Sequence, residues 1–215
     1  MSSYTRKSKE AIARSVANDI FDGAYVNLGI GQPTEVANYI PQDREVIFHS
    51  ENGLLGMGPA PQPEDADYDL INAGKLPVTL LKGGAFFHHA DSFAIMRGGH
   101  LDICVLGAFQ VGINGDLANW STGAPGAIPA VGGAMDLATG AKQTWIMMDL
   151  FAKDGRPKLV RACSYPLTGL GCVRRIYSDH GTFDLKNGAI IARDLPAGLD
   201  IATLERLLDL PVSAS

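Results

Sequence analysis

The sequence predicts an α/β fold: a mainly parallel open sheet with flanking helices and a β-rich C-terminal extension, forming one domain over residues 1–215. Three observations point there. Short apolar runs alternate with helix-periodic segments through roughly the first two thirds of the chain. Glycines stand directly after several of those runs, at Gly29, Gly31, Gly53 and Gly83-Gly84. Past residue 155 the helical periodicity gives way to closely spaced β-prone runs. Strands alternating with helices build parallel sheets covered on both faces, whereas closely spaced strands suit antiparallel pairing.

Taken in order, residues 7–21 place Ile12, Val16, Ile20 and Phe21 at helical spacing, and Asp22-Gly23 ends that helix. Residues 24–28 form a short strand stopping at Gly29-Ile30-Gly31. Gln32-Pro33-Thr34 opens a second helix reaching Tyr39, with proline in its first turn. Residues 46–49 make the next strand, which runs into Ser50-Glu51-Asn52-Gly53, and a turn-rich segment covers 54–74. Residues 78–81 read as a buried strand ended by Gly83-Gly84, 91–97 as a short helix, and 103–106 and 143–148 as strands. Between those two strands a glycine-rich stretch carries one helix after Gly132-Gly133. Residues 159–163, 173–177, 181–185 and 189–192 read as strands, some antiparallel, and 200–208 as a closing helix with Ile201, Leu204, Leu207 and Leu208 on one face.

Composition excludes several classes of function. A formal net charge of −5, with Lys and Arg scattered, lacks the concentrated basic stripe that a duplex-binding surface needs. Cys104, Cys163 and Cys172 are an odd set without a C-x-x-C, which argues against a disulfide framework or a cysteine-rich zinc site. The N-terminus lacks the apolar core of a signal peptide, and no run reaches the ~18 apolar residues of a membrane helix. The chain therefore reads as cytoplasmic, with no membrane and no nucleic acid among its partners.

Ser50-Glu51-Asn52-Gly53 is the feature with the most chemistry in it. A carboxylate just beyond a strand stands at the carboxyl edge of the sheet, where open α/β sheets bind ligands. Asn52 suits a turn position of positive φ. Near pH 7 Glu51 is ionised without help from a neighbouring base. Taken out of water and given donors for a developing oxyanion, it can attack an acyl thioester and keep the acyl activation in an anhydride and then a glutamyl thioester. The bland alternative is a solvated turn glutamate. Asn27 ends a strand beside Gly29 and reaches the same edge, or else it merely stabilises its turn. Gly132-Gly133 opens a helix whose free N–H groups can donate, or marks tight packing alone.

Seven blocks in order resemble one family. They are Val26-Asn27-Leu28-Gly29-Ile30-Gly31, Ser50-Glu51-Asn52-Gly53-Leu54-Leu55-Gly56-Met57-Gly58-Pro59, and residues 69–75, 97–102, 115–120, 132–137 and 166–169. Together they resemble the B (β) subunit of the 3-oxoacid CoA-transferases, while residues 153–161 are less characteristic. Within the family, residues 83–93 and 128–133 look most like the 3-oxoadipate branch. The resemblance implies a fold of the sugar-phosphate isomerase and CoA-transferase kind, a separate A subunit in a heterodimer or heterotetramer, and an active site between the two. It implies Glu51 as the nucleophile, Asn27 beside the acyl site, and Gly132 and Gly133 with backbone N–H near the thioester oxygen. It implies no cofactor, since CoA enters as a thioester substrate. The expected reaction moves CoA from succinyl-CoA to a 3-oxoacid, with 3-oxoadipate favoured over acetoacetate.

His88-His89-x-Asp91 and His100-x-Asp102 can be read as metal ligands. Adjacent histidines in a strand face opposite ways, and the chemistry needs no Lewis acid, so no metal is expected. One of these histidines is instead expected to shape the acyl pocket or an interface. The turn at 29–31 lacks G-x-G-x-x-G, which argues against a dinucleotide site. Cys104 reads as core. A non-catalytic ligand-binding module on the same fold, and an isomerase or hydrolase using Glu51 as general base, remain the alternatives of other classes.

Overall fold

The computed structural model describes residues 4–124, 126 and 132–215. Helix α1 (Lys9–Asp19) begins where Ser8 Oγ accepts from the Ala11 N–H at 3.1 Å, and it buries Ile12, Ala13, Val16 and Ala17. It ends slightly earlier than expected, because Ile20 is already extended. Strand β1 (Tyr25–Leu28) follows, and then Gln32–Tyr39, which is helical as expected but of the 3₁₀ kind. Its first turn explains this. Both the Thr34 N–H (3.1 Å) and the Thr34 hydroxyl (2.7 Å) donate to the Gly31 carbonyl, three residues back, and Pro33 has no N–H to give.

The next strands are β2 (Ile47–Ser50), β3 (Leu54–Met57) and β4 (Leu80–Phe86). Two expectations fail here. The turn-rich segment contains β3, antiparallel to β2, and the anticipated buried strand at 78–81 is an edge strand, largely exposed, that runs on through Gly83-Gly84. The glycines permit this by letting backbones approach. A Cβ on Gly56 (φ +76°) would stand 2.8 Å from Gly84 Cα, so the pair marks a close crossing of β3 and β4 and not a strand end.

Helix α2 (His89–Arg97) leads to β5 (Ile103–Leu106). Two short strands missed in the sequence, β6 (Gln110–Gly112) and β7 (Leu117–Ala118), form a small second sheet with β9 (Leu159–Val160). Helix α3 (Ala134–Gly140) and β8 (Gln143–Met148) are where expected. The C-terminal part comprises β10 (Val173–Ser178), β11 (Gly181–Lys186), β12 (Ala189–Asp194), α4 (Ile201–Leu208) and a further strand, β13 (Val212–Ala214). These strands continue the main sheet, whose order is β13-β12-β11-β10-β8-β5-β1-β2-β3-β4. Its centre, β10-β8-β5-β1-β2, is parallel throughout, and antiparallel strands extend it on both sides.

The period-2 alternation of β-strands divides the core in two. Val26, Phe48, Ile103, Val105, Trp145 and Met147 pack beneath α1, while Cys104, Leu106, Ile146 and Met148 pack beneath α2 and α3. Asn27, His49, Cys104 and Thr144 lie side by side across four strands on the α2 and α3 face. The Thr144 hydroxyl donates to the Ala138 carbonyl at 3.0 Å, and the Cys104 thiol to the Leu137 carbonyl at 3.3 Å, anchoring α3 to the sheet. Cys104 is core, as expected, and its burial pushes the thiol up to about 12.

Candidate active site

The chain leaves β1 for β2 on one side of the sheet and reaches β5 on the other, so a crevice opens at the carboxyl ends of these strands. A cleft of about 460 Å³ occupies it. Asn27, Glu51, Gly132 and Gly133 all line it, together with Leu28–Ile30, Ala73, residues 106–109, Asn119, Ala134 and Leu137. All four residues expected from the sequence therefore meet in one place. A cavity of about 620 Å³ around His180 is larger but less suited, because its Asp179 carboxylate is occupied by the Leu150 N–H (2.8 Å) and by Arg6 (3.8 Å).

Glu51 follows β2 in a turn held from several sides. The Gly53 N–H donates to the Ser50 carbonyl (3.0 Å), and the Phe87 N–H donates to the Gly53 carbonyl (3.0 Å). The Asn52 side chain donates to the Ile71 carbonyl (2.8 Å), and the Ala73 N–H donates to Ser50 Oγ (3.0 Å). It is Gly53, at φ +109°, that takes the left-handed position expected for Asn52; Asn52 instead ties the turn to the 69–75 segment. A Cβ on Gly53 would run into the Phe87 carbonyl, so no other residue fits without displacing backbone.

The Glu51 carboxylate lies against Gly133 at the start of α3. A Cβ placed on Gly133 would overlap Oε2 of Glu51 and stand 3.0 Å from its Cδ, with the Phe93 ring 3.4 Å away. Around this point Arg97 donates to Asp136 (2.6 Å) while its guanidinium covers the Phe93 ring (5.4 Å), joining α2 to α3. Burial holds the Glu51 carboxyl above its ordinary value; the nearby charge of His89 opposes this and that of Asp136 adds to it. No hydrogen bond among the described residues contributes. A carboxylate kept partly dry, with no hydrogen-bond partner among the described residues, is available to a substrate.

His88 and His89 do not lie in a strand, so the reason given for setting them aside as a metal pair does not apply. His88 Nδ1 caps α2 by accepting from the Ala90 N–H (3.1 Å), and His89 is the first residue of that helix, edge-on to Phe93 at 5.0 Å. His89 thus acts on Glu51 through its charge, and neither histidine lines the cleft.

Several neighbours of the cleft were not singled out from the sequence. Asn119 lines it, held by its donation to the Gly107 carbonyl (3.1 Å) and by the Thr168 hydroxyl donating to its Oδ1 (2.6 Å). Asn119 and Thr168 belong to two of the seven blocks, so proximity of those blocks was the available signal. Asp136 likewise falls in the 132–137 block, and Ser92 and Phe93 in the 83–93 stretch, whereas His49 stands in none of them and acts through tertiary contacts. Residues 128–131, part of the block resembling the 3-oxoadipate branch, lie outside the described residues.

Comparison with known proteins agrees with this geometry. A family model described as Coenzyme A transferase matches residues 9–194. The B (β) subunit of 3-oxoadipate CoA-transferase from Pseudomonas putida is 61% identical over 205 residues, covering 95% of this chain and 96% of the relative. The B (β) subunit of succinyl-CoA:3-ketoacid coenzyme A transferase from Helicobacter pylori is 45% identical over 193 residues, covering 90% and 92%. Among solved structures, an acyl-CoA transferase from Escherichia coli O157:H7 matches in fold with a TM-score of 0.74 at 20% identity over 97% of this chain. The present chain spans 42% of that longer one. A switch-point cleft built around the family's characteristic segments, and matches along nearly the whole length, lead to one conclusion: the chain belongs to the coenzyme A transferase family.

Proposed function

We propose that this chain is the Glu51-bearing half of an enzyme that moves CoA from succinyl-CoA to a 3-oxoacid, with 3-oxoadipate as the favoured acceptor. The observation that carries the reading is the Glu51 carboxylate, partly buried and without a hydrogen-bond partner among the described residues, lying against Gly133 in the switch-point cleft. The two relatives described above bear names with these substrates, and of the two the 3-oxoadipate one is the more similar.

In the first half-reaction a Glu51 carboxylate oxygen attacks the thioester carbonyl. The C–S bond breaks, giving a mixed anhydride and CoA thiolate. The thiolate returns to the Glu51 carbonyl, forming a glutamyl-CoA thioester and releasing succinate. In the second half the acceptor carboxylate attacks that thioester, and the same two steps in reverse yield the new acyl-CoA and free Glu51. Backbone N–H groups at Gly132 and Gly133, at the N-terminal end of α3 where no intrahelical acceptor exists, stabilise the oxyanion of each tetrahedral intermediate. Excluding water keeps the anhydride from hydrolysis. CoA is a substrate here, and no cofactor is required.

The relatives are named as B subunits, which supports an A subunit as partner in a heterodimer or heterotetramer. Ile30, 65% exposed at the rim of the cleft, and half-exposed Phe109 give such a partner an apolar margin to cover. Among the described residues no helix is long and apolar enough to cross a membrane, and we place the enzyme in the cytoplasm.

Co-expression with the A subunit and an acceptor panel tests the reading. Transfer to 3-oxoadipate should exceed transfer to acetoacetate; the reverse preference would assign the acetoacetate-type activity instead. Hydroxylamine trapping after incubation with succinyl-CoA should modify Glu51 alone. A Glu51→Ala enzyme keeping about a tenth of parent turnover would rule the covalent route out, since removal of a covalent nucleophile costs far more.

A further inference from the structure

Behind Asn27, on the side away from solvent, lies a buried chain of polar groups that the proposed chemistry leaves without a task. Asn27 and His49 are Cα partners on the parallel strands β1 and β2, so their side chains leave the sheet on the same face. The Asn27 Nδ2 lies 2.8 Å from His49 Nδ1 and 3.0 Å from the His49 carbonyl oxygen. His49 Nε2 in turn lies 2.8 Å from Ser92 Oγ on α2. His49 and Ser92 are fully buried, and the imidazole stacks on Phe87 at 6.0 Å and 16°.

The chemistry of the partners orients every group. A backbone carbonyl only accepts, so the atom facing it must be the amide nitrogen of Asn27 and not its oxygen. The second amide proton then meets His49 Nδ1, which must carry a lone pair. The ring proton therefore sits on Nε2 and is donated to Ser92 Oγ. Burial keeps the ring neutral by lowering its pKa to about 4, so this arrangement persists at neutral pH. Both N–H groups of Asn27 are consumed. Asn27 lines the cleft, and the one polar side-chain atom it has left to offer is Oδ1.

We propose that His49 is a positioning residue that locks the Asn27 amide so that Asn27 meets the substrate only as a hydrogen-bond acceptor. The inference rests on the CoA-transferase reading above and adds a direction to it. Carboxylates, which the acids carry at both ends of the reaction, are acceptors themselves and gain nothing from Asn27 Oδ1. The CoA thioester carries an amide N–H close to its sulfur. Asn27 thus reads the CoA arm, and discrimination among acids falls to other groups.

The test uses the enzyme assembled with its A subunit. Turnover of the parent on succinyl-CoA is measured first; a parent that transfers no CoA overturns the assigned activity and leaves the orientation of Asn27 to the spectroscopic test. His49→Phe keeps an aromatic ring against Phe87 and removes the acceptor, while His49→Asn keeps an acceptor oxygen near the position of Nδ1. His49→Phe should lower kcat/KM for succinyl-CoA roughly 10-fold, the worth of about one neutral hydrogen bond, mainly through KM. The KM of the acceptor acid should stay unchanged, and His49→Asn should recover most of the loss. Nitrogen-15 spectra of the parent's histidines should show His49 as the Nε2–H tautomer throughout the neutral range. An Nδ1–H tautomer overturns the proposal, even where His49→Phe fails to fold. So does an unchanged succinyl-CoA KM in His49→Phe, or an equal fall of kcat alone in both variants, which would reduce His49 to a packing role.

Discussion

Gly133→Ala isolates the nucleophile's geometry from the stability of the fold. Gly133 has φ −67° and ψ −2°, which any residue adopts, so the substitution strains no backbone. Stability should change little: alanine is a poorer N-cap than glycine, but it reduces the entropy of the unfolded chain by a similar amount. The new methyl group nonetheless occupies the place of Glu51 Oε2 and stands 3.0 Å from Cδ, well inside the ~3.5–4.0 Å of a comfortable carbon–carbon contact. The carboxylate must retreat by on the order of 1 Å. A misplacement of that size costs about 100-fold in rate, or roughly 2.7 kcal/mol of transition-state stabilisation. Gly132→Ala is the matched control, because among the described residues a Cβ there meets nothing within 4 Å, Glu51 included. Turnover of succinyl-CoA in the assembled enzyme, with thermal unfolding as the check on folding, reads both variants. If Gly133→Ala turns over within about twofold of the parent at unchanged melting temperature, the placement of the carboxylate against Gly133 does not govern catalysis.

Other outcomes follow from the same contacts. Only ionised Glu51 is a nucleophile, so kcat/KM for the thioester should fall as pH drops, with a limb above the ordinary carboxylate range; Asp136→Asn should move that limb to lower pH and His89→Phe to higher pH, and no opposite displacement in a pH–rate profile would mean neither charge reaches Glu51. Gly53→Ala should destabilise the fold by about 3 kcal/mol, since it adds a left-handed strain of ~1–3 kcal/mol to a collision with the Phe87 carbonyl, and denaturant unfolding measures it. Buried His49 has a folded-state pKa near 4 against an ordinary 6.5, so the unfolded chain binds the extra proton first. Its contribution to stability is present above pH 6.5 and is lost as pH falls through the folded value. At 1.36 kcal/mol per pH unit that window is worth roughly 3 kcal/mol, and His49→Asn should flatten the acid side of the stability profile accordingly.

By itself the sequence determined the α/β class, the central parallel strands β1, β2, β5 and β8 nearly to the residue, and the place of Glu51 at a strand end. Periodicity of 2 or 3.6 is written locally, and so is the glycine that must follow a strand where backbone turns sharply. The antiparallel strand β3 escaped notice, and β4 was read as a buried strand stopping at Gly83-Gly84, because their glycines serve a contact between segments about 30 residues apart that appears only when both are present. Tertiary structure alone decided what surrounds the site residues. It placed Gly133 under the carboxylate, turned Asn27 toward His49, and brought His89 and Asp136 within electrostatic reach of Glu51. Hydrogen-bond direction and burial depend on which side chains the fold juxtaposes, and no spacing along the chain encodes the distance between α3 and the end of β2.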